Sequence, residues 1–211
     1  MEETIDSAMH RALSGSRPPV SLPECRQRMM KLVSRFGDRN AFLMKCNPGV
    51  QTTFASHPET CYFGDYPTLA ELNAAYGRTM ASQWLLPQIA NLSEFSGARD
   101  VTEVQQEELS RIIAQEYHWL KITELLLFFY KFKTGCYGRF YGAVDPLAIT
   151  TALREFIRDR STAYAKHEQE ERERKEAEER RLNQPVSREE WIRLKQEQEK
   201  EKEKMAANHQ V

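Results

Sequence analysis

From Leu125 to Tyr130 the chain reads Leu-Leu-Leu-Phe-Phe-Tyr, with no polar residue to mark an outer face. Six residues sweep well over one turn of an α-helix, so a helix built here is apolar all the way round. Such a helix is stable in water only when other elements surround it, which predicts a helical core with this segment as its axis. No stretch reaches the ~18 apolar residues that a membrane span needs, so no membrane association is expected.

Helix starts recur along the chain. Ser21 with Glu24, Thr68 with Glu71, Thr102 with Gln105 and Ser187 with Glu190 all have the spacing at which two side chains satisfy each other's free backbone amides. Asp145-Pro146 nominates a fifth start, an acceptor followed by a residue that lacks the amide hydrogen a first helical position leaves unused. From Thr68 to Leu92 the apolar positions keep helical spacing, with Gly77 as an expected kink and Pro87 as an expected break or bend. Leu109, Ile112, Ile113, Tyr117 and Leu120 form one amphipathic stripe, Gly135 is a helix stop, and Ile149, Leu153, Phe156, Ile157 and Tyr164 form a second stripe. Cys46-Asn-Pro-Gly49 between Phe42 to Met44 and Val50 to Phe54 suggests a turn. The expected fold class is therefore mainly all-α, with a short β-hairpin or loop near residues 41–54.

The expected organisation is N-terminal helices over 1–40, a loop or hairpin over 41–66, a helical core domain over 67–165 and a charged helical tail over 166–211. In the tail, Glu168, Glu170, Glu171 and Glu176 each precede a cation by four residues, the favourable orientation for a solvated helix. Too few apolar residues recur there for a coiled-coil seam. Trp191, Ile192 and Leu194 are the apolar anchors of a last helix, and Trp191 and Leu194 are candidates for docking on a partner.

Among 211 residues, 30 cations nearly balance 31 acids, which argues against a generally basic nucleic-acid coat protein. Residues 131–160 depart from that balance, with six cations against three acids. The N-terminal Met1-Glu-Glu-Thr-Ile-Asp has no cationic segment followed by an apolar run, so a cytoplasmic location is expected. Cys25, Cys46, Cys61 and Cys136 show no short paired spacing, as expected of reduced thiols.

The locally basic stretch opens with Lys131-Phe-Lys-Thr-Gly-Cys-Tyr-Gly-Arg-Phe-Tyr-Gly142. Tyr137, Phe140 and Tyr141 are rings of the kind on which bases stack, and Lys131, Lys133 and Arg139 are cations for phosphates, the combination that holds single strands. Arg154 and Arg158 in the next helix extend the candidate surface. The same residues also suit a tight, aromatic-filled connection whose glycines permit positive dihedral angles. Neither a ribonucleoprotein motif nor a phosphate-binding glycine loop matches the spacing. Cys136 lies between Lys133 and Arg139, which would favour a thiolate, but no histidine stands near it in sequence. Cys46, His57 and Cys61 have irregular spacing for zinc, and no metal or cofactor is expected.

The run Glu116-Tyr-His-Trp-Leu-Lys-Ile-Thr-Glu-Leu, the run from Phe132 through Tyr-Gly-Arg-Phe-Tyr-Gly to Asp145-Pro-Leu, and Leu153-Arg-Glu-Phe resemble a family of uncharacterised proteins from Bacteroidetes and their mobile elements. With Tyr76-Gly77 and Trp84-Leu85 the resemblance spans residues 68 to 165. It implies a bacterial or phage-associated cytoplasmic protein, an accessory in replication or DNA maintenance, and brings no catalytic residue with it. Three functions follow as expectations: a non-enzymatic module that binds nucleic acid or a nucleic-acid-processing protein through residues 131–142, an adaptor that docks through its last helix, or an enzyme that uses Cys136. The sequence leaves the oligomeric state open.

Overall fold

The computed structural model describes residues 22–96, 101–138, 145–183 and 188–207. Among them every regular element is helical, and the one β-type pairing is an isolated antiparallel bridge between Thr68 and Lys121. The chain divides into two compact units, Met1–Tyr164 and Ala165–Val211.

In the first unit, α1 (Leu22–Phe36) and α2 (Arg39–Lys45) are followed by a 3-10 turn at Pro48–Val50, α3 (Gln51–Ala55) and α4 (Pro58–Phe63). The expected hairpin near residues 41–54 is thus corrected to helix, turn and helix. Asn47 gives the reason. Its side-chain oxygen accepts from the Gly49 amide at 2.7 Å, its side-chain nitrogen donates to Met44 O at 2.7 Å, and Pro48 occupies the first helical position. Asn-Pro here caps one helix end and opens the next instead of turning two strands.

The capping boxes predicted at Thr68 and Thr102 open α5 (Leu69–Tyr76) and α7 (Glu103–Glu116). Between them, α6 (Met80–Ser96) begins afresh, so the helical stretch expected from Thr68 to Leu92 divides at Gly77 into two helices. Gly77 separates them at φ +109°, a conformation L side chains rarely adopt, and Asn73 Oδ1 accepts from Ala81 N at 2.8 Å across the gap. Pro87 does not interrupt α6. It lies on the exposed side, while Trp84, Leu85, Gln88 and Ile89 are buried along the same two turns.

The predicted axis is α8 (Ile122–Lys133), whose residues from Ile122 through Phe129 are all buried. It packs on α3, α4 and α6, and α6 packs most extensively on α7. The start of α5 is tied to the turn before α8: Leu69 N donates to Leu120 O at 3.0 Å and Ala70 N to His118 O at 2.8 Å. Two amides that a helix start leaves free are satisfied in this way by a distant part of the chain. The stripe expected to run on to Leu120 therefore leaves the helix after Glu116. The last element to join this core is α9 (Pro146–Leu182), opened by Asp145 Oδ1 accepting from Leu147 N at 2.8 Å. Its Ile149, Leu153, Phe156 and Ile157 are buried, with Phe156 against Phe128 and Tyr62.

The second unit holds the rest of α9 and α10 (Arg188–Ala207). Its ion pairs are exposed and local: Arg172 with Glu168 at 3.7 Å, Arg180 with Glu176 at 3.8 Å, and Arg174 with Glu171, three residues back, at 2.6 Å.

Candidate recognition surface

The candidate surface lies where α8 ends and α9 begins. Helix α8 stops in a Schellman arrangement: Gly135 N donates to Phe132 O and Cys136 N to Lys131 O, each at 3.0 Å. Gly135 takes φ +77°, and a side chain there would meet no atom closer than Gly138 O at 3.9 Å. Dihedral strain alone, not space, makes glycine the fitting residue.

The sequence-predicted residues separate into distinct environments. Tyr137 is half-buried, its ring 6.1 Å from that of Phe128, and its hydroxyl donates to Asp159 Oδ2 at 3.4 Å. Burial first, and then the Asp159 charge, push this phenol far above its ordinary value, so it stays protonated. Lys131 is half-buried, with its ammonium 5.8 Å from the centre of the Phe156 ring. Lys133 turns inward. Its ammonium donates to Gln51 Oε1 at 2.8 Å and to Asn91 Oδ1, and burial lowers its pKa. Gln51 in turn donates to Gln88 Oε1 at 2.7 Å, and Gln88 and Trp84 both donate to Cys46 O. Lys133 is therefore part of a largely buried polar chain linking α3, α6 and α8.

Arg154 and Arg158 are exposed, one turn apart on the side of α9 away from Phe156. Thr151 and Leu147 continue the same stripe, and neither arginine pairs with a carboxylate among the described residues. Arg139, Phe140 and Tyr141 lie outside the described residues. Cys136 is exposed, and its sulfur lies 3.4 Å from Thr134 Oγ1. Cys46 and Cys61 are buried, whereas His57 is exposed at the head of α4. Among the described residues no cluster of three metal-ligating side chains forms. In α10, Trp191 is 53% exposed with the Lys195 ammonium 4.5 Å from its ring centre, and the side chain of Leu194 lies outside those described.

What holds the arginine stripe in place is a buried cluster that sequence reasoning missed. Arg160 Nε donates to Glu124 Oε1 at 2.7 Å, with the carboxylate fully buried. The guanidinium stands 4.9 Å from the ring centre of Trp119 and 4.2 Å from that of Tyr164. The Tyr164 hydroxyl shares its proton between Glu124 Oε1 at 2.9 Å and Tyr62 O at 2.5 Å, and Glu124 Oε2 accepts from the Lys121 amide at 3.0 Å. The Lys121 ammonium reaches Tyr62 O at 2.7 Å and Gly64 O at 2.9 Å, and Thr123 Oγ1 reaches Cys61 O at 2.9 Å. The start of α8 thus caps the end of α4, a cation and hydroxyls meeting carbonyls that a helix C-terminus leaves free. Burial, with Asp159 next in effect, pushes the Tyr62 phenol up to about 12. One signal was present in the sequence: Arg160 falls on the buried stripe midway between Phe156 and Tyr164, where a cation needs a partner.

A family model described as a family of unknown function (DUF6633) matches residues 100–204. The match takes in α7, α8, α9 and most of α10, and with them every residue of the candidate surface. No curated protein and no solved structure matches the chain.

Proposed function

We propose that this is a non-enzymatic interaction protein that binds nucleic acid, single strands above all, through the outer face of the first turns of α9 and the connection before it. The observation that carries the reading is the pair Arg154 and Arg158, exposed and free of any carboxylate partner among the described residues, beside an arginine, Arg160, that is committed inside. In the tail, by contrast, Arg172, Arg174 and Arg180 all have glutamate partners. Unpaired guanidinium groups on a rigid helix suit phosphate oxygens, which Arg meets through paired N–H donors. The bacterial or phage-associated cytoplasm and the role beside a replication or DNA-maintenance enzyme, both implied by the resemblance, belong to this proposal.

The test is the anisotropy of a labelled oligothymidylate titrated with the full chain at rising salt. Binding at low salt should weaken with a slope of about 0.7 per phosphate contact on a log-log plot. Arg154→Ala with Arg158→Ala should lower that slope by about 1.4, and both side chains are exposed, so the fold is untouched. No binding at low salt, or an unchanged slope in the double variant, refutes the reading.

A second reading, an adaptor docking through α10, is favoured by the indole of Trp191, exposed on a helix otherwise rich in charge. Deleting residues 183–211 distinguishes it: a co-purifying protein lost on deletion supports the adaptor, and one retained refutes it.

A further inference from the structure

Away from that surface, α1 places Arg28, Lys31 and Arg35 on one flank at spacings of three and four residues. With Asp65, Tyr66, Pro67 and Glu71 they line a groove of about 280 Å³. Leu32, Phe36 and Pro67 are buried beneath it, and the half-buried ring of Tyr66 supplies the apolar surface at its base. Arg35 is held ready. Its Nη1 donates to Asp65 O at 2.7 Å, and its guanidinium stands 4.5 Å from the ring centre of Tyr66 and 5.1 Å from that of Phe36. No carboxylate pairs with it among the described residues, so Nε and Nη2 keep donors to offer.

The two acids on the rim do not neutralise the groove. Glu71 already closes the capping box of α5 and reaches Arg28 at 3.1 Å. Asp65 meets Lys31 at 3.6 Å with both side chains largely in water, a pair weak enough to exchange for a better partner. Three cations against two engaged acids, over an apolar base, are complementary to a carboxylate next to an apolar side chain.

We infer that this groove docks an acidic peptide segment of a partner protein, one that sets an aliphatic or aromatic residue beside Asp or Glu. A carboxylate would meet the fork of Arg35, and the apolar neighbour would lie against the half-buried Tyr66 ring and the aliphatic stems of Arg28 and Lys31. Nucleic acid fits less well. Arg28 and Lys31 already have carboxylate partners, which leaves the Arg35 fork to meet a single acid rather than a run of phosphates, and Arg35 occupies a face of Tyr66 that a base would need.

The experiment is selection of random twelve-residue displayed peptides on the immobilised full chain, followed by affinity measurement with the best synthetic peptide. Selected peptides should pair Asp or Glu with an apolar residue. Their affinity should fall about tenfold in Arg35→Gln, the loss of one charge-assisted contact, and again when the acids become amides. Arg35 also packs on two rings, so Lys31→Glu, a change at an exposed position, is measured beside it and should weaken binding in the same direction. Arg154→Ala with Arg158→Ala should leave peptide affinity unchanged, which separates this site from the α9 surface. Selection of peptides without acids, equal affinity in Arg35→Gln and Lys31→Glu, or displacement of the peptide by oligothymidylate would overturn the inference.

Discussion

Replacing Arg160 with Met removes a cation from the most enclosed carboxylate among the described residues. Glu124 is fully buried, so the loss leaves a charge with two remaining donors, the Tyr164 hydroxyl at 2.9 Å and the Lys121 amide at 3.0 Å. Breaking a buried pair from one side costs about 3 to 5 kcal/mol, and the aromatic contacts of the guanidinium with Trp119 and Tyr164 are lost as well. At roughly 2 to 4 °C per kcal/mol for a chain of this size, the melting temperature should drop by about 10 °C. Glu124→Gln should destabilise by a similar route, leaving the cation without its counter-charge. In the double variant neither member of the pair is left without the other, so its cost should fall short of the sum of the singles by about 1 to 3 kcal/mol. Urea unfolding followed by far-ultraviolet circular dichroism, which reads the helices rather than the ring of Trp119 beside Arg160, measures all four corners of this cycle. Single variants within about 1 kcal/mol of wild type, or strict additivity, would refute the claim that the pair locks α9 to the core.

The buried thiols predict an alkaline limit. Burial pushes Cys46 and Cys61 from 9.0 to about 11, so the folded state favours the neutral forms. Their stabilising effect is complete below pH 9 and is lost as the pH rises towards 11; the lowered pKa of Lys133 works in the opposite direction. Comparing wild type with Cys46→Ala/Cys61→Ala cancels the lysine, and the wild type should lose stability relative to the variant between pH 9 and 11 in urea titrations. Parallel curves would show that the thiols do not titrate as argued. At Gly135, substitution by Ala should cost about 1 to 2 kcal/mol in the same assay, since the positive dihedral angle is retained without any clash. A neutral result there would mean that the turn relaxes to another form.

The parts of this fold that could be read from sequence are those whose cause is local. Thr68 and Thr102 open helices because their partners, Glu71 and Gln105, are three residues away, and the Gly135 stop needs only its own dihedral angle. The apolar block at Leu125 to Tyr130 announces its burial without naming its neighbours. At Asn47 the turn was legible but the helices on either side were not, because a turn and a helix cap use the same residue types and only the contacts with Met44 and Gly49 separate them. Pro87 does not break its helix, because the packing of Trp84, Leu85, Gln88 and Ile89 outweighs one missing hydrogen bond. Of the candidate surface, the exposure of Arg154 and Arg158 follows from the helical period. Lys133 has the same charge, but its acceptors are Gln51 and Asn91, 82 and 42 positions away, and no spacing rule reaches them. The Glu124–Arg160 pair is equally distant, joining residues 36 apart.

The capping of α4 by α8 has a consequence for chain length. Lys121, Thr123 and Tyr164 converge on the carbonyls of Cys61, Tyr62 and Gly64, at the end of a helix of six residues. Each residue turns a helix by about 100°, so one insertion or deletion between Pro58 and Phe63 would swing those oxygens away from all three donors together. This stretch is a fixed gauge: its side chains can vary wherever they face water, but its residue count cannot.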